Sequence, residues 1–220
     1  GIIMFGNEEQ KQRYLPKIAS GEWMTAFALT EAGAGSDAAG IQSKAVLRAD
    51  KKSFTLNGGK IWITNGGIAD VYTVFAKTLM DEGGEKKEKI SAFIVERGFK
   101  GFSSGRPEEK LGIHGSNTAS LNFDNINVPV DNMLGPMGRG FKIAMEILNT
   151  GRLGLASGCL GGCKMLVKMS AEHAKNRKQF NRPIAQFEMM QEKIATMAAE
   201  TYAAESMVYL TTALADRKSF

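Results

Sequence analysis

The sequence is poor in the residues that build metal and disulfide chemistry. Of its 220 residues, two are cysteine and two histidine. Cys159 and Cys163 form no C-x-x-C pair, so no disulfide framework is encoded and a reducing compartment suits the chain. They lie four apart in a helical pattern, with β-carbons about 5–6 Å apart, too far for an unstrained bridge. Both read as small core residues. His114 and His173 are far apart in the chain, and no metal site is expected. No apolar run reaches the roughly 18 residues of a membrane span. No Ser/His/Asp or Cys/His triad and no P-loop can be assembled. Charge of one sign is also scarce: the net +5 is scattered among acids. That distribution lacks the concentrated stripe and stacking aromatics of a nucleic-acid surface. The chain opens on Gly1 and stops inside a long helical pattern at "ADRKSF", which reads as a fragment. A missing targeting sequence therefore excludes nothing.

What is present divides by period. "EEQKQRYLPKIAS" (8–20) is helical up to Gly21, with Pro16 expected to break or kink it. From Glu22 to about Val130 the texture is β, with strands expected at 23–30, 41–48, 53–57, 60–64, 70–77, 90–96, 109–113 and 118–128. "NGG" at 57–59 and again at 65–67 supplies tight turns, and "DEGGEKKEK" (81–89) a solvated hairpin tip. Eight short strands imply a small antiparallel barrel or sandwich. Past Pro136, Phe141, Met145, Leu148, Arg152, Leu155, Cys159, Cys163 and Leu166 form one helical stripe. Phe187, Met190, Ile194, Met197, Thr201, Ala204 and Val208 form a second. Two long helices joined by "NRKQFNRPIAQ" read as half of an antiparallel bundle. Glycines at 151, 154, 158, 161 and 162 suggest a face closely approached by another helix or a ligand.

Four features could carry chemistry. "LTEAGAGSD" (29–37) satisfies the loose G-x-G-x-x-A spelling with Gly33, Gly35 and Ala38. Hairpins rather than a helix follow it, and Glu31 and Asp37 would repel a diphosphate, so the dinucleotide reading fails. Trp62 and Thr64 alternate onto one strand face. They are either a buried indole with a β-branched neighbour, or a flat wall with a hydroxyl for a planar heteroaromatic ring. Thr30 could offer a second hydroxyl. Arg152 is a fixed cation on an apolar stripe and needs a partner, in the bundle or in a ligand. Lys175, Arg177, Lys178 and Arg182 gather near a helix C-terminus, a solvated end or an anion-facing corner with Phe180.

The motifs "FALTEAGAGSD", "LNGGKIWITNGG", "VERGFKGF", "KLGIHGSNTASLNFDNINVP", "GRGFKIAMEILNTGR" and "NRKQFNRPI" are far more specific together. In this order they resemble the acyl-CoA dehydrogenase family over essentially the whole chain. The likeness is closest to the very-long-chain branch, including its paralogue that assists complex I assembly. The resemblance implies an α+β multidomain fold: the end of an N-terminal helical domain (1–21), a middle β domain (22–131) and the first half of a C-terminal helical bundle (132–220). It implies FAD bound by Phe27, Leu29, Thr30, Trp62, Ile63 and Thr64, with Arg177 and Phe180 reaching the flavin of a neighbouring subunit in a homodimer. It places Ser36, Asn149 and Arg152 against the fatty acyl-CoA substrate. The implied reaction is α,β-dehydrogenation. A glutamate removes the α-proton, the β-hydrogen leaves as hydride to the flavin, and electrons pass on to an electron-transferring flavoprotein. In the isovaleryl branch that glutamate immediately precedes the arginine matched here by Arg152; this chain has Gly151 there, so the base is expected beyond Phe220. Mitochondrial location on the matrix side, with peripheral contact to the inner membrane, comes from the resemblance alone. So do the alternatives, an assembly factor or an acyl-CoA oxidase of the same fold.

Overall fold

The computed structural model describes residues 1–217, so Lys218–Phe220, the end of the third expected domain, lie outside the described residues. The chain divides into two compact units, Gly1–Ile147 and Leu148 onward.

The first unit starts with α1 (Ile2–Phe5) and α2 (Glu8–Ala19). A reciprocal capping box opens α2: the Asn7 side chain accepts from the Gln10 amide, and the Gln10 side chain accepts from the Asn7 amide. The helix runs through Pro16 instead of breaking there. Both Pro16 and Gln12, whose carbonyl loses its donor, are exposed, so that carbonyl is left open to solvent and not buried unpaired. Buried Tyr14 fastens α2 to the sheet: its hydroxyl donates to Glu96 at 2.7 Å and accepts from Asn132. Burial and the Glu96 carboxylate push that phenol well above its usual range.

The strands are β1 (Thr25–Ala28), β2 (Lys44–Leu47), β3 (Ser53–Thr64), β4 (Val71–Glu82), β5 (Glu85–Glu96), β6 (Phe102–Pro107), β7 (Thr118–Pro129) and β8 (Met133–Leu134). They form one sheet in the order β6-β7-β3-β2-β4-β5-β8, with β1 also on β4. The sheet is mixed rather than purely antiparallel, because β1 and β2 both pair with β4 in parallel. Inward residues of these strands, including Phe54, Leu56, Tyr72, Val74, Phe93, Val95, Ile126 and Val128, make one core. Phe54 meets Phe93 edge-on at 5.1 Å.

Two local expectations in the sheet fail. The "NGG" at 57–59 makes no turn: it lies inside the single long strand β3, at a register shift opposite Asn125 of β7. Gly58 there has φ +138, and a β-carbon on it would stand 2.3 Å from Ser43 Oγ. Asn-Gly-Gly permits a hairpin, but continued pairing of both halves of β3 with β7 outweighs it. Residues 109–113 form no strand, while 102–107 do. The exposed 109–113 segment includes Ile113 at φ +54, outside the β region.

The second helix pair consists of α3 (Gly140–Asn176), which begins in the first unit, and α4 (Glu188–Asp216). Between them lie β9 (Lys178–Gln179) and β10 (Arg182–Pro183), paired antiparallel. The expected α4 stripe is the covered one: Phe187, Met190, Ile194, Met197, Thr201, Ala204 and Val208 are each half-buried. On α3 the expected stripe is not. Arg152, Leu155, Cys159, Cys163 and Leu166 are exposed, whereas Leu153, Leu160, Val167, Ala171 and Ala174 are the covered positions. The two cysteines are therefore not core residues in this unit. This helix is apolar on more than one face, and only the partner helix selects which face is covered.

Candidate functional site

Strand β3 carries a second irregularity at its C-terminal end. Between Lys60 and Ile63 it has one residue more than the facing stretch of β7, and Trp62 is that extra residue, at φ +56. A bulky residue in the left-handed region is an outlier, and bulges re-aim side chains beside functional sites. Here the extra residue lets both Lys60 and Ile63 point inward while Trp62, 64 % exposed, and Thr64 face out. Of the two readings of Trp62, the buried indole is excluded. The following turn is tightly made. Asn117 accepts from the Gly67 amide through its side chain and from the Asn65 amide through its carbonyl. A β-carbon on Gly66 would lie 2.8 Å from the Ile63 carbonyl oxygen. The Tyr72 hydroxyl sits 2.9 and 2.7 Å from the carbonyls of Gly66 and Ala69.

Strand β1 runs into the glycine loop. Half-buried Phe27 packs on fully buried Phe75 at 5.0 Å, and Leu29 is buried. Thr30 is half-buried, and its carbonyl accepts from the Ile61 amide, joining β1's end to the bulge of β3. Glu31 is not an acid waiting for a ligand. Its carboxylate accepts from the Gln42 and Ser43 amides and pairs with Lys60 Nζ at 2.7 Å. Lys60 is fully buried and also donates to the Leu29 carbonyl at 3.1 Å. Burial acts to raise the Glu31 pKa, but the bonds from Lys60 and from residues 42–43 outweigh it and hold the carboxyl below its usual range. Burial pushes the Lys60 ammonium down, against the opposing pull of Glu31. The sequence signal was slight: an acid at a strand end, and a lysine whose inward aim depends on a bulge. Within the loop, Ser36 is exposed, and β-carbons on Gly33 or Gly35 would meet nothing within 4 Å. No close packing by the chain itself requires glycine there, which leaves room for a bound group.

An apolar cleft of about 390 Å³ in this unit is lined by Ile2, Leu15, Thr25, Phe27, Thr64 and Thr73, among others. That size and lining suit a planar ring or an acyl segment. Among the described residues, the hydroxyls of Thr30, Ser36 and Thr64 and the Trp62 indole take no protein hydrogen bond. Thr64 lines that cleft, whereas Thr30, Ser36 and Trp62 do not. A more polar cavity of about 530 Å³ lies at 107–118, and none of the expected site residues lines it. No cluster of metal-ligating side chains exists among the described residues.

The other expected residues belong to the second unit. Arg152 and Asn149 lie one turn apart on α3, exposed, with Arg152 Nη1 donating to Asn149 Oδ1 at 2.8 Å. Arg177 follows the end of α3, and its carbonyl accepts from the Ile184 amide. Phe180, at φ +52, and Asn181, at φ +62, form the two-residue turn between β9 and β10. Such a turn demands left-handed residues, and it holds Phe180 87 % exposed at its tip. Arg182 stacks on Phe187 at 4.1 Å behind it.

Comparisons with known proteins agree across the chain. The family models described as acyl-CoA dehydrogenase N-terminal, middle and C-terminal domains match residues 1–22, 26–126 and 138–219. A very long-chain specific acyl-CoA dehydrogenase, mitochondrial, from Bos taurus is 52 % identical over 221 residues, covering 100 % of this chain and 34 % of the relative. The solved acyl-CoA dehydrogenase complexed with FAD from Bacillus anthracis is 49 % identical, with a TM-score of 0.85 over 97 % of this chain and 35 % of that one. Butyryl-CoA dehydrogenase from Megasphaera elsdenii gives 42 % and a TM-score of 0.86, covering 99 % of this chain and 56 % of that one. The chain thus spans about a third of the length of its curated mitochondrial relatives.

Proposed function

Because the chain belongs to the acyl-CoA dehydrogenase family, we propose that the whole protein oxidises long- or very-long-chain fatty acyl-CoA to the trans-2-enoyl-CoA. FAD, when bound, supplies the hydride acceptor. The observation that carries this reading is the end of β3 beside the end of β1. There an exposed indole on a left-handed bulge stands with two threonine hydroxyls that no protein group uses. Thr30 and Thr64 would bond the rim of the isoalloxazine, Trp62 would wall it from water, and half-buried Phe27 would add apolar surface; Leu29 and Ile63, whose side chains are buried in the core, would contribute through their backbone alone. Ser36 would contact the CoA moiety of the substrate. In the second unit, Asn149 and its partner Arg152 are proposed as substrate contacts in their own right. Hydrogen bonds to the thioester oxygen stabilise the enolate that forms as the α-proton leaves. The base is proposed past Phe220, because Gly151 stands where the isovaleryl branch carries its glutamate.

The same reading assigns 1–21 to an N-terminal helical domain, 22–131 to the middle domain and 132–220 to half of a bundle. Arg177 and the Phe180 tip would reach the flavin of a second subunit. An electron-transferring flavoprotein would reoxidise the cofactor. The mitochondrial matrix is proposed from mitochondrial relatives, although other relatives are bacterial. Short-chain enzymes also match, so chain length needs direct measurement. The test is to purify the full-length protein, record its flavin spectrum, and assay reduction with saturated acyl-CoAs from butyryl to long chains. A colourless protein that refuses FAD and ignores every thioester sinks the proposal. Rapid hydrogen peroxide formation on turnover would favour an oxidase instead. Negligible turnover together with recovery of complex I assembly proteins would favour the assembly role.

A further inference from the structure

Residues 31–43 leave and re-enter the sheet at nearly one point, so they form a loop of the Ω type. Its tip carries Ser36; its middle is anchored by buried Ala34 and Ile41. Its neck is closed by a single carboxylate. Glu31, at one end, accepts from the amides of Gln42 and Ser43 at the other. Lys60 completes the clasp from β3 by bonding both Glu31 and the Leu29 carbonyl. The very next residue, Ile61, donates to the Thr30 carbonyl at 3.0 Å, and the one after is bulged Trp62. Three devices thus meet within a few residues: the loop neck, Thr30 and the indole. Ser43 is seated there by Gly58, where any β-carbon would collide with it.

A buried, fully desolvated lysine is costly to a fold and gives less net stability than apolar side chains would. What the pair gives that an apolar pair could not is direction. One carboxylate collects two backbone amides and one ammonium, and so fixes how the loop leaves the sheet. Loops held only by apolar anchors can slide; a loop held by three charge-assisted bonds at its neck cannot. The residues so fixed are those that touch the ligand in the functional reading above.

We propose that Glu31 and Lys60 are positioning residues, a clasp that sets the Ser36 loop against the Thr30–Trp62 ring site and so governs acyl-CoA affinity rather than the chemical step. This rests on the proposed dehydrogenase function, but the clasp itself can be read without it. The experiment uses the full-length protein with Glu31→Gln, and with the double change E31Q/K60M, which strands no charge should the single variant fold poorly. In flavin-free protein, hydrogen exchange of amides 32–42 should quicken about tenfold, the size of coupling within one bonded network. In FAD-loaded protein the KM for acyl-CoA should rise about tenfold, with kcat close to wild type. Unchanged exchange and unchanged KM with only a lower urea midpoint would overturn the proposal, as would a fall in kcat at constant KM. If the wild-type protein binds neither FAD nor acyl-CoA, the functional reading fails, while the exchange data still decide the clasp.

Discussion

The β unit and the helix pair spend apolar residues in opposite ways. In the first, whole strand faces vanish from water: Val74, Phe75, Phe93, Ile94 and Ile126 are fully covered. In the second, Leu160 and Ala174 are the buried hydrophobic positions of α3 past Leu148, and α4 buries none. Leu155, Met165, Leu166, Met169, Met207 and Leu210 stand open. Val74–Phe75 and Phe93–Ile94 each point to opposite faces, so β4 and β5 are covered on both, whereas each helix of a pair has one neighbour and can cover one stripe. The β unit therefore holds a complete core, and the helix pair holds two stripes and a surplus.

Truncation should expose this contrast most strongly. Phe93→Ala should cost about 3–5 kcal/mol in urea unfolding of the chain. Leu160→Ala should cost less than the roughly 2 kcal/mol at which buried leucine truncations begin. Equal losses would mean that the helix pair is as well packed as the sheet. Glycines should then divide by sign. Gly58→Ala forces a left-handed residue into Ser43 and should destabilise by about 1–3 kcal/mol. Gly158→Ala, where a β-carbon meets nothing within 4 Å, should stabilise by roughly 1 kcal/mol. If Gly158→Ala destabilises the full-length protein while stabilising this chain, a further segment packs closely on that face.

Acid should separate the regions next. The Glu31 pKa is depressed on folding, so its stabilisation is complete above the unfolded carboxylate pKa. It is lost as pH falls from there through the lower folded value. The urea midpoint of the wild type should therefore drop on acidification below the ordinary carboxylate range, and Glu31→Gln should flatten that part of the drop. The smallest effect belongs to the helix pair. Lys164 and Glu205 meet at 2.6 Å, and the bond raises the lysine pKa. On the lysine side that contribution is present through the neutral range and is lost as pH rises through the folded lysine value. Glu205→Gln should therefore slightly flatten the alkaline limb, which circular dichroism at a series of pH values can check.

Much of this was legible from residue order. The change from period two to period three or four near Pro136 marks where sheet gives way to helix, and the α4 stripe falls where its spacing puts it. The α3 stripe was misplaced because its sequence offers more than one apolar face, so spacing alone could not rank them. Asn57-Gly58-Gly59 and Asn65-Gly66-Gly67 are the same tripeptide, yet one lies within a strand and the other makes a turn. Local preference allowed a turn at both; pairing of β3 with β7 removed it at the first. Trp62 and Thr64 stand out through composition, but the bulge that turns the indole outward and Lys60 inward is a property of how β3 registers with β7. Nothing in "LTEAGAGSD" says that Glu31 is already engaged by a lysine twenty-nine residues on.

The amino-acid order by itself determined the element types, the family motifs and the residue kinds available for a ring, an acyl chain and an anion, because these depend on local spacing and side-chain chemistry. The tertiary structure alone decided which groups are spent and which are free. Glu31 and Lys60 neutralise each other out of water, while the hydroxyls of Thr30, Ser36 and Thr64 keep their bonding capacity. Pairing across twenty-nine residues depends on strand register, and register is settled only when the whole sheet closes over its core.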